Sequence, residues 1–339
     1  MKKPKKLRRT IPLRRKVLYS SIIVVAFVSG AEIACRLILP ADQNSRWAYH
    51  RDLVRAIGFG SLNDVLEPDP RRFWRVKSNL DAQRVRGQIG DSGPISFTVS
   101  TAESGHRRMP DAPNAAIDVL FLGDSCTFGV AVDDDETFPA LLQHKVPVRC
   151  TNAGVPGYSA YQGRVTFENM SFHRPPAVVV VSFLFNDNSS WDGLSDAEHA
   201  QMLSRTRLIE YSRLLTFLAS FKPRASFSAK RGQPERPRLT DSEYAAELRR
   251  IVDRCRELNS DPVLLVWPMR QQMSIDQPIV KQQVMRRVAS EEDVRLIDLV
   301  PLFRSQDKPM FADVVHANAA GHRVIAEELE SVFEGLLGP

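Results

Sequence analysis

A serine hydroxyl becomes a useful nucleophile only when a base lies within hydrogen-bond reach and a third group orients that base. Residues 123–129 read GDSCTFG and residues 313–322 read DVVHANAAGH. Ser125 is the candidate nucleophile. Asp313 precedes His316 by three residues, a spacing that lets the carboxylate hold the imidazole Nδ1–H while Nε2 faces the serine. His322 is the competing base, but it lacks a carboxylate three residues before it and sits on the following helix, where a packed or solvated histidine is expected. An α/β-hydrolase elbow would need glycine two residues after the serine; Thr127 stands there, so that fold is not indicated.

Acyl transfer also needs donors aimed at the oxyanion that forms in the transition state. Two segments offer them. In TNAGVPGYS, residues 151–159, Gly157 can bring a bare backbone N–H close to a ligand. In LFNDN, residues 184–188, the Asn186 amide follows an apolar run. Asp124 is read as a turn-stabilising carboxylate, because Asp313 already supplies the acid, and Asp187 as structural. Trp47, Trp74, Trp191 and Trp267 are expected in the core, with Trp191 alone singled out for its place behind Asn186.

These residues need a frame. The run IDVLFL at 117–122 is of strand length and apolar throughout, as in a strand buried on both faces of a parallel sheet. Similar runs recur at 177–183, 262–267 and 294–299, separated by helix-like stretches at 138–143, 161–170, 243–258, 279–291 and 319–337. The alternation predicts a three-layer α/β/α sandwich around a mostly parallel sheet. Residues 189–240 break the rhythm as an insertion, with a helical segment over 208–219 and a basic Pro/Ser/Lys run over 222–238. Residues 40–116 read as a linker in which 73–76 and 95–99 form a small β-hairpin laid on the main domain; no function is legible there.

Taken in order, Ser125, Gly157, Asn186 and His316 in the contexts GDSCTFG, NAGVPG, FND and DVVH resemble the four blocks of the SGNH/GDSL serine hydrolases, in particular their membrane-anchored bacterial type. The resemblance runs from residue 117 to the end. It implies a flavodoxin-like α/β fold and an esterase working through an acyl-serine, with no metal or cofactor. It implies Ser125 as nucleophile, its own N–H with Gly157 and Asn186 as oxyanion donors, His316 as general base and Asp313 as orienter. Cys126 departs from the bulkier residue the family often carries after the serine, which bears on substrate fit and not on mechanism.

The formal net charge of +6 is carried by the tail: residues 1–16 hold nine basic and no acidic residues, so the remainder sums to 6 − 9 = −3. A slightly acidic body excludes a nucleic-acid face. Residues 17–39 are apolar, most strongly over 17–31, and the basic cluster ahead of them predicts the tail in the cytoplasm. The expected layout is a basic tail (1–16), a transmembrane signal-anchor (17–39), the linker (40–116) and the hydrolase domain (117–339), held at the inner membrane by a single pass with its body periplasmic. A cleaved signal remains the alternative; lipidation at Cys35 would want an apolar residue where Glu32 stands. Cys126, Cys150 and Cys255 are an odd set, expected as small buried hydrophobes. This topology, together with what the family resemblance implies, points to an acylated envelope carbohydrate or lipid as substrate, with removal of O-acetyl groups from a polysaccharide the first expectation. Acyl transfer to a sugar hydroxyl on the same site, or a non-catalytic glycan-binding module, remain the alternatives.

Overall fold

The computed structural model describes residues 12–39, 54, 59–89, 93–190, 193–205, 212–220 and 236–337. The basic tail, Trp47, Trp191 and most of the basic run over 222–238 lie outside these. The chain divides into two compact units, residues 1–49 with 203–225, and residues 50–202 with 226–339.

The larger unit is built on five parallel strands, β5 (Ile117–Gly123), β6 (Val148–Asn152), β7 (Val178–Ser182), β8 (Asp261–Val266) and β9 (Arg295–Asp298), in the order β6-β5-β7-β8-β9. All five residues of β7 are buried, as an apolar run covered on both faces must be. Along β5, Val119 and Phe121 join a core cluster with Phe138 and Leu142 of the helix Phe138–Lys145, Leu299 and Phe303 of Leu299–Arg304, and Ile325, Leu329 and Phe333 of Ala319–Leu337. The helices Ala160–Glu168, Asp241–Glu257 and Val280–Glu291 pack with one another on the opposite face, completing the expected α/β/α sandwich. β6 is the strand that apolar runs do not reveal: its residues alternate between buried and more exposed, as an edge strand's do.

The segment before β5 is a correction to the expected hairpin. Residues 73–76 and 95–99 do not pair; β1 (Leu66–Asp69) pairs with β2 (Phe73–Val76), and β3 (Gln83–Gln88) with β4 (Pro94–Val99), as two antiparallel ladders. Buried Arg107 ties this part to the sheet's carboxyl end. Its guanidinium donates to the carbonyls of Thr98, Phe128, Gly129 and Val132, 2.7–2.8 Å away, and to Asp134 Oδ1 at 2.7 Å.

The smaller unit holds the helix Leu13–Ile38, whose most apolar 18-residue stretch has a mean hydropathy of 2.0 and which has no buried residue; it is long and apolar enough to cross a membrane. The helix Arg213–Ser220 packs beside it. The helical segment expected over 208–219 is thus present from residue 213, residues 206–211 being outside the described set.

Candidate active site

In an open α/β sheet the crevice for ligands lies beyond the carboxyl ends of the strands, where the strand order reverses. Here the reversal is at β5, flanked by β6 and β7. Ser125 opens the short helix Ser125–Phe128 directly after β5. The turn into it is tight: a Cβ on Gly123 would lie 2.0 Å from Thr127 Oγ1 and 2.7 Å from the Ser182 carbonyl oxygen, so only glycine fits. Asp124 caps the helix, its Oδ1 accepting the Cys126 N–H at 2.8 Å. Burial pushes its carboxyl up to about 6, against the opposing pull of the Cys126 N–H, His316 and the Asn186 amide.

The segment 313–316 folds into a turn organised by one carboxylate. Asp313 Oδ1 accepts the N–H groups of Val315 and His316, both at 2.7 Å, while Oδ2 lies 2.5 Å from His316 Nδ1. Burial alone would raise the Asp313 carboxyl, but the imidazole and the two N–H groups outweigh it and hold its pKa below the usual value. His316 Nε2 lies 2.8 Å from Ser125 Oγ. The turn is gripped from behind by Trp267, whose Nε1 donates to the Val315 carbonyl at 2.8 Å. His322 is a core residue: its ring stacks on Phe138 with centroids 5.7 Å apart, Nδ1 accepts the Phe138 N–H at 3.1 Å, and burial lowers its pKa to about 3.

Gly157 adopts φ 81°, the left-handed region that other residues enter at a cost. Its N–H shares a planar peptide with the Pro156 carbonyl, so fixing one end fixes the other. That carbonyl accepts Trp74 Nε1 at 2.9 Å. The carbonyl of Gly157 itself accepts Arg238 Nη1 at 2.6 Å. Arg238 is buried in turn against Asp196, 2.9 Å away, and bonds Gln162. The glycine is therefore pinned from both sides, by β2 and by the return of the 189–240 insertion. Trp74 sits in the core as expected, but its indole nitrogen has this second role, and Arg238 had no role assigned from sequence.

The Asn186 amide nitrogen donates to the Tyr158 carbonyl at 3.1 Å and to Asp124 Oδ2 at 3.2 Å. Both amide hydrogens have protein acceptors, so an incoming oxyanion would draw one away from its present partner. Asp187 is buried; its Oδ1 accepts the Ala160 N–H at 2.8 Å, as a structural carboxylate would. Cys126, Cys150 and Cys255 are buried free thiols. Ser125, Gly157, Asn186 and His316 all line one cavity of about 320 Å³, completed by Phe59, Leu62, Ile89, Pro156, Phe185, Ser189 and Arg238. Its chemistry is that of a serine with a base in contact, an oriented imidazole and nearby N–H donors, beside an apolar wall contributed by the segment before β5.

The fold is an open α/β sheet that brings a serine, a histidine and an aspartate into one contact chain at its switch point. Residues 121–324, more than half of the chain, match the family model of the GDSL-like lipase/acylhydrolase family, and the chain belongs to that family. It is a hydrolase acting on ester bonds. Solved structures similar to it include a lipolytic protein of the G-D-S-L family from Veillonella parvula (17% identity, 64% of this chain and 98% of that one, TM-score 0.44). Others are an alpha/beta hydrolase from the metagenome of Lake Arreo, Spain (20% identity, 66% and 98%, TM-score 0.45) and a lipase/acylhydrolase from Enterococcus faecalis (16% identity, 65% and 96%, TM-score 0.43). A search of curated protein sequences found no match.

Proposed function

We propose that Ser125 attacks the carbonyl carbon of an ester, with His316 Nε2 taking the hydroxyl proton and Asp313 stabilising the imidazolium. The N–H groups of Ser125 and Gly157 and the Asn186 amide receive the oxyanion. His316 returns the proton to the leaving alcohol, leaving an acyl-serine, and then activates the water that releases the acid. No metal or cofactor enters this scheme. The observation that carries it is the continuous relay Asp313–His316–Ser125, with contacts of 2.5 and 2.8 Å.

The cavity supports a short acyl group. Its volume of about 320 Å³ is at the low end of ordinary ligand clefts, which hold roughly 300–1,000 Å³. Phe59, Leu62, Ile89 and Phe185 offer a methyl group an apolar wall, while Ser189 and Arg238 stand at the polar side. With the helix Leu13–Ile38 as a membrane anchor and the basic tail cytoplasmic, the substrate would be an O-acylated envelope polysaccharide or lipid met outside the inner membrane, an O-acetyl ester first among them.

The test is turnover of nitrophenyl esters of increasing chain length by the full-length protein. Ser125→Ala and His316→Ala should each abolish nearly all hydrolysis in a folded protein, and the double variant should be no slower than either, because a triad acts as a unit. A double variant far slower than both would break the assignment. The acetyl ester should be preferred; a preference for long acyl chains would overturn the short-acyl reading while leaving the triad standing.

A further inference from the structure

The helix Leu13–Ile38 is apolar and uncovered, yet it carries the carboxylate of Glu32. In a membrane, an acidic side chain is costly unless it is met by partners. Glu32 is met by four donors: Arg36 Nε at 2.7 Å, Ser212 Oγ at 2.7 Å, and the backbone N–H groups of Arg213 and Leu214 at 2.9 Å each. Three of the four come from a segment some 180 residues further along the chain. The two N–H groups open the helix Arg213–Ser220 and have no intrahelical partner, and a negative charge is favoured at that end of a helix. The carboxylate thus fastens one helix to the flank of the other.

The depth of this clasp follows from helix geometry. At about 1.5 Å per residue, Glu32 lies about 22 Å from Val17, and a hydrocarbon layer is about 30 Å thick. Ile33, Leu37 and Ile38, exposed and apolar, continue beyond it for roughly another 9 Å. A span beginning near Val17 therefore holds Glu32 inside the bilayer boundary, in the half remote from the basic tail, and the helix clasped to it enters that half too. The second helix is made for such a place. Leu214, Leu215, Phe217 and Leu218 fall on one arc and Arg213 and Thr216 on the other, at about 100° per residue. Thr216 is buried, whereas Leu215, Phe217 and Leu218 are 49%, 38% and 53% exposed, an apolar surface that water would not favour.

We propose that residues 213–220 form a second membrane-seated element, an amphipathic helix whose Leu215, Phe217 and Leu218 enter the acyl chains of the leaflet remote from the tail, held on the spanning helix by Glu32. The proposal rests on the reading of Leu13–Ile38 as a membrane span. It makes the anchor a two-part structure that stays attached, since removal of residues 13–38 would leave this helix without the partner that closes its N-terminus.

The experiment uses the full-length chain in phosphatidylcholine–phosphatidylglycerol vesicles with two single substitutions, Val25→Trp on the span and Phe217→Trp on the second helix. The emission each adds over the parent protein is read with lipids brominated near the headgroup or near the chain end, and with aqueous acrylamide. Both should lose emission to brominated lipid, Phe217→Trp more to the headgroup-proximal bromine, and both should resist acrylamide. Adding Glu32→Ala should shift the Phe217→Trp emission to the red and open it to acrylamide, while Val25→Trp stays protected. If Val25→Trp is quenched by lipid and Phe217→Trp only by acrylamide, the second helix lies in water and the proposal falls, with the span intact. If Val25→Trp is itself open to acrylamide, the span reading fails and takes the proposal with it. An unchanged Phe217→Trp signal after Glu32→Ala would refute the clasp.

Discussion

Trp74→Phe isolates the support of the proposed oxyanion hole from the residues that do the chemistry. Trp74 is wholly buried, its Nε1–H donates to the Pro156 carbonyl, and its own carbonyl accepts the Tyr158 hydroxyl at 2.7 Å. Phenylalanine keeps the backbone contact and most of the ring but removes the indole donor to the Pro156 carbonyl, the contact that steadies the Pro156–Gly157 peptide. A buried carbonyl left without its donor costs about 1–3 kcal/mol, and the unfilled part of the indole site adds to this, for a total loss of roughly 2–4 kcal/mol of stability. The catalytic effect has a ceiling. Deleting an oxyanion donor outright costs about 10²–10³ in kcat, whereas here the Gly157 N–H remains and only its aim is loosened, with Arg238 still gripping the next carbonyl. A fall in kcat of about 10–100-fold is expected, with KM for a small ester little changed because the oxyanion exists only in the transition state. Urea unfolding gives the stability term, and kcat and KM with nitrophenyl acetate, measured where circular dichroism shows the variant folded, give the catalytic one. Wild-type kcat in a folded but destabilised Trp74→Phe would refute the reasoning, because the peptide would then keep its orientation without the indole.

Asn186→Ala should lower kcat by about 10²–10³ with KM nearly constant, read on the same ester; a pure KM effect would make Asn186 a substrate contact and remove it from the oxyanion hole. Asp187 yields a stability prediction with a definite sign. Burial raises its carboxyl from 3.8 to about 7, against the Ala160 N–H and Arg238, which lower it. The native state therefore keeps a proton that the unfolded chain releases, so stability falls as pH rises from about 4 to about 7 and is level above that. At about 1.36 kcal/mol per unit, the penalty above neutral is at most about 4 kcal/mol. Asp187→Asn, which can still accept the Ala160 N–H, should gain stability over the parent progressively across that window in urea titrations; an equal gain at both ends would reject the linkage.

The sheet was legible because its central strands are buried on both faces, so the run at 177–183 has no polar side to blur it. β6 was not, since an edge strand needs only every other residue apolar, and VRCTN carries that pattern too briefly to stand out. The strand pairing before β5 was hidden for a related reason. Strand character at 73–76 and 95–99 was read correctly, but pairing depends on partners whose own sequences are weak: LEPD contains a proline and QRVRGQ has a single buried apolar residue, Val85. Neither segment declares itself until its neighbour is in place.

The site divides along the same line. Asp313 and His316 are three residues apart, and their geometry is local: one turn, closed by the Asp313 carboxylate on two N–H groups, sets both side chains. Such an arrangement can be read from a string of letters. The cradle around Gly157 cannot, because Trp74 and Arg238 reach it from 82 and 81 positions away. What sequence did contain was the anomaly of a polar atom on a ring destined for the core, since a buried indole N–H must find an acceptor. Trp267 repeats the pattern, holding the Val315 carbonyl just ahead of His316. Two tryptophans that fill the core thus steady the peptides on either side of Ser125, one behind the glycine that would receive negative charge and one behind the histidine that would take the proton. The substitutions that test the two should consequently part company. Loosening Trp74 acts on the oxyanion and leaves proton transfer alone, whereas loosening Trp267 acts on the relay, so only the second should alter the pH dependence of kcat/KM.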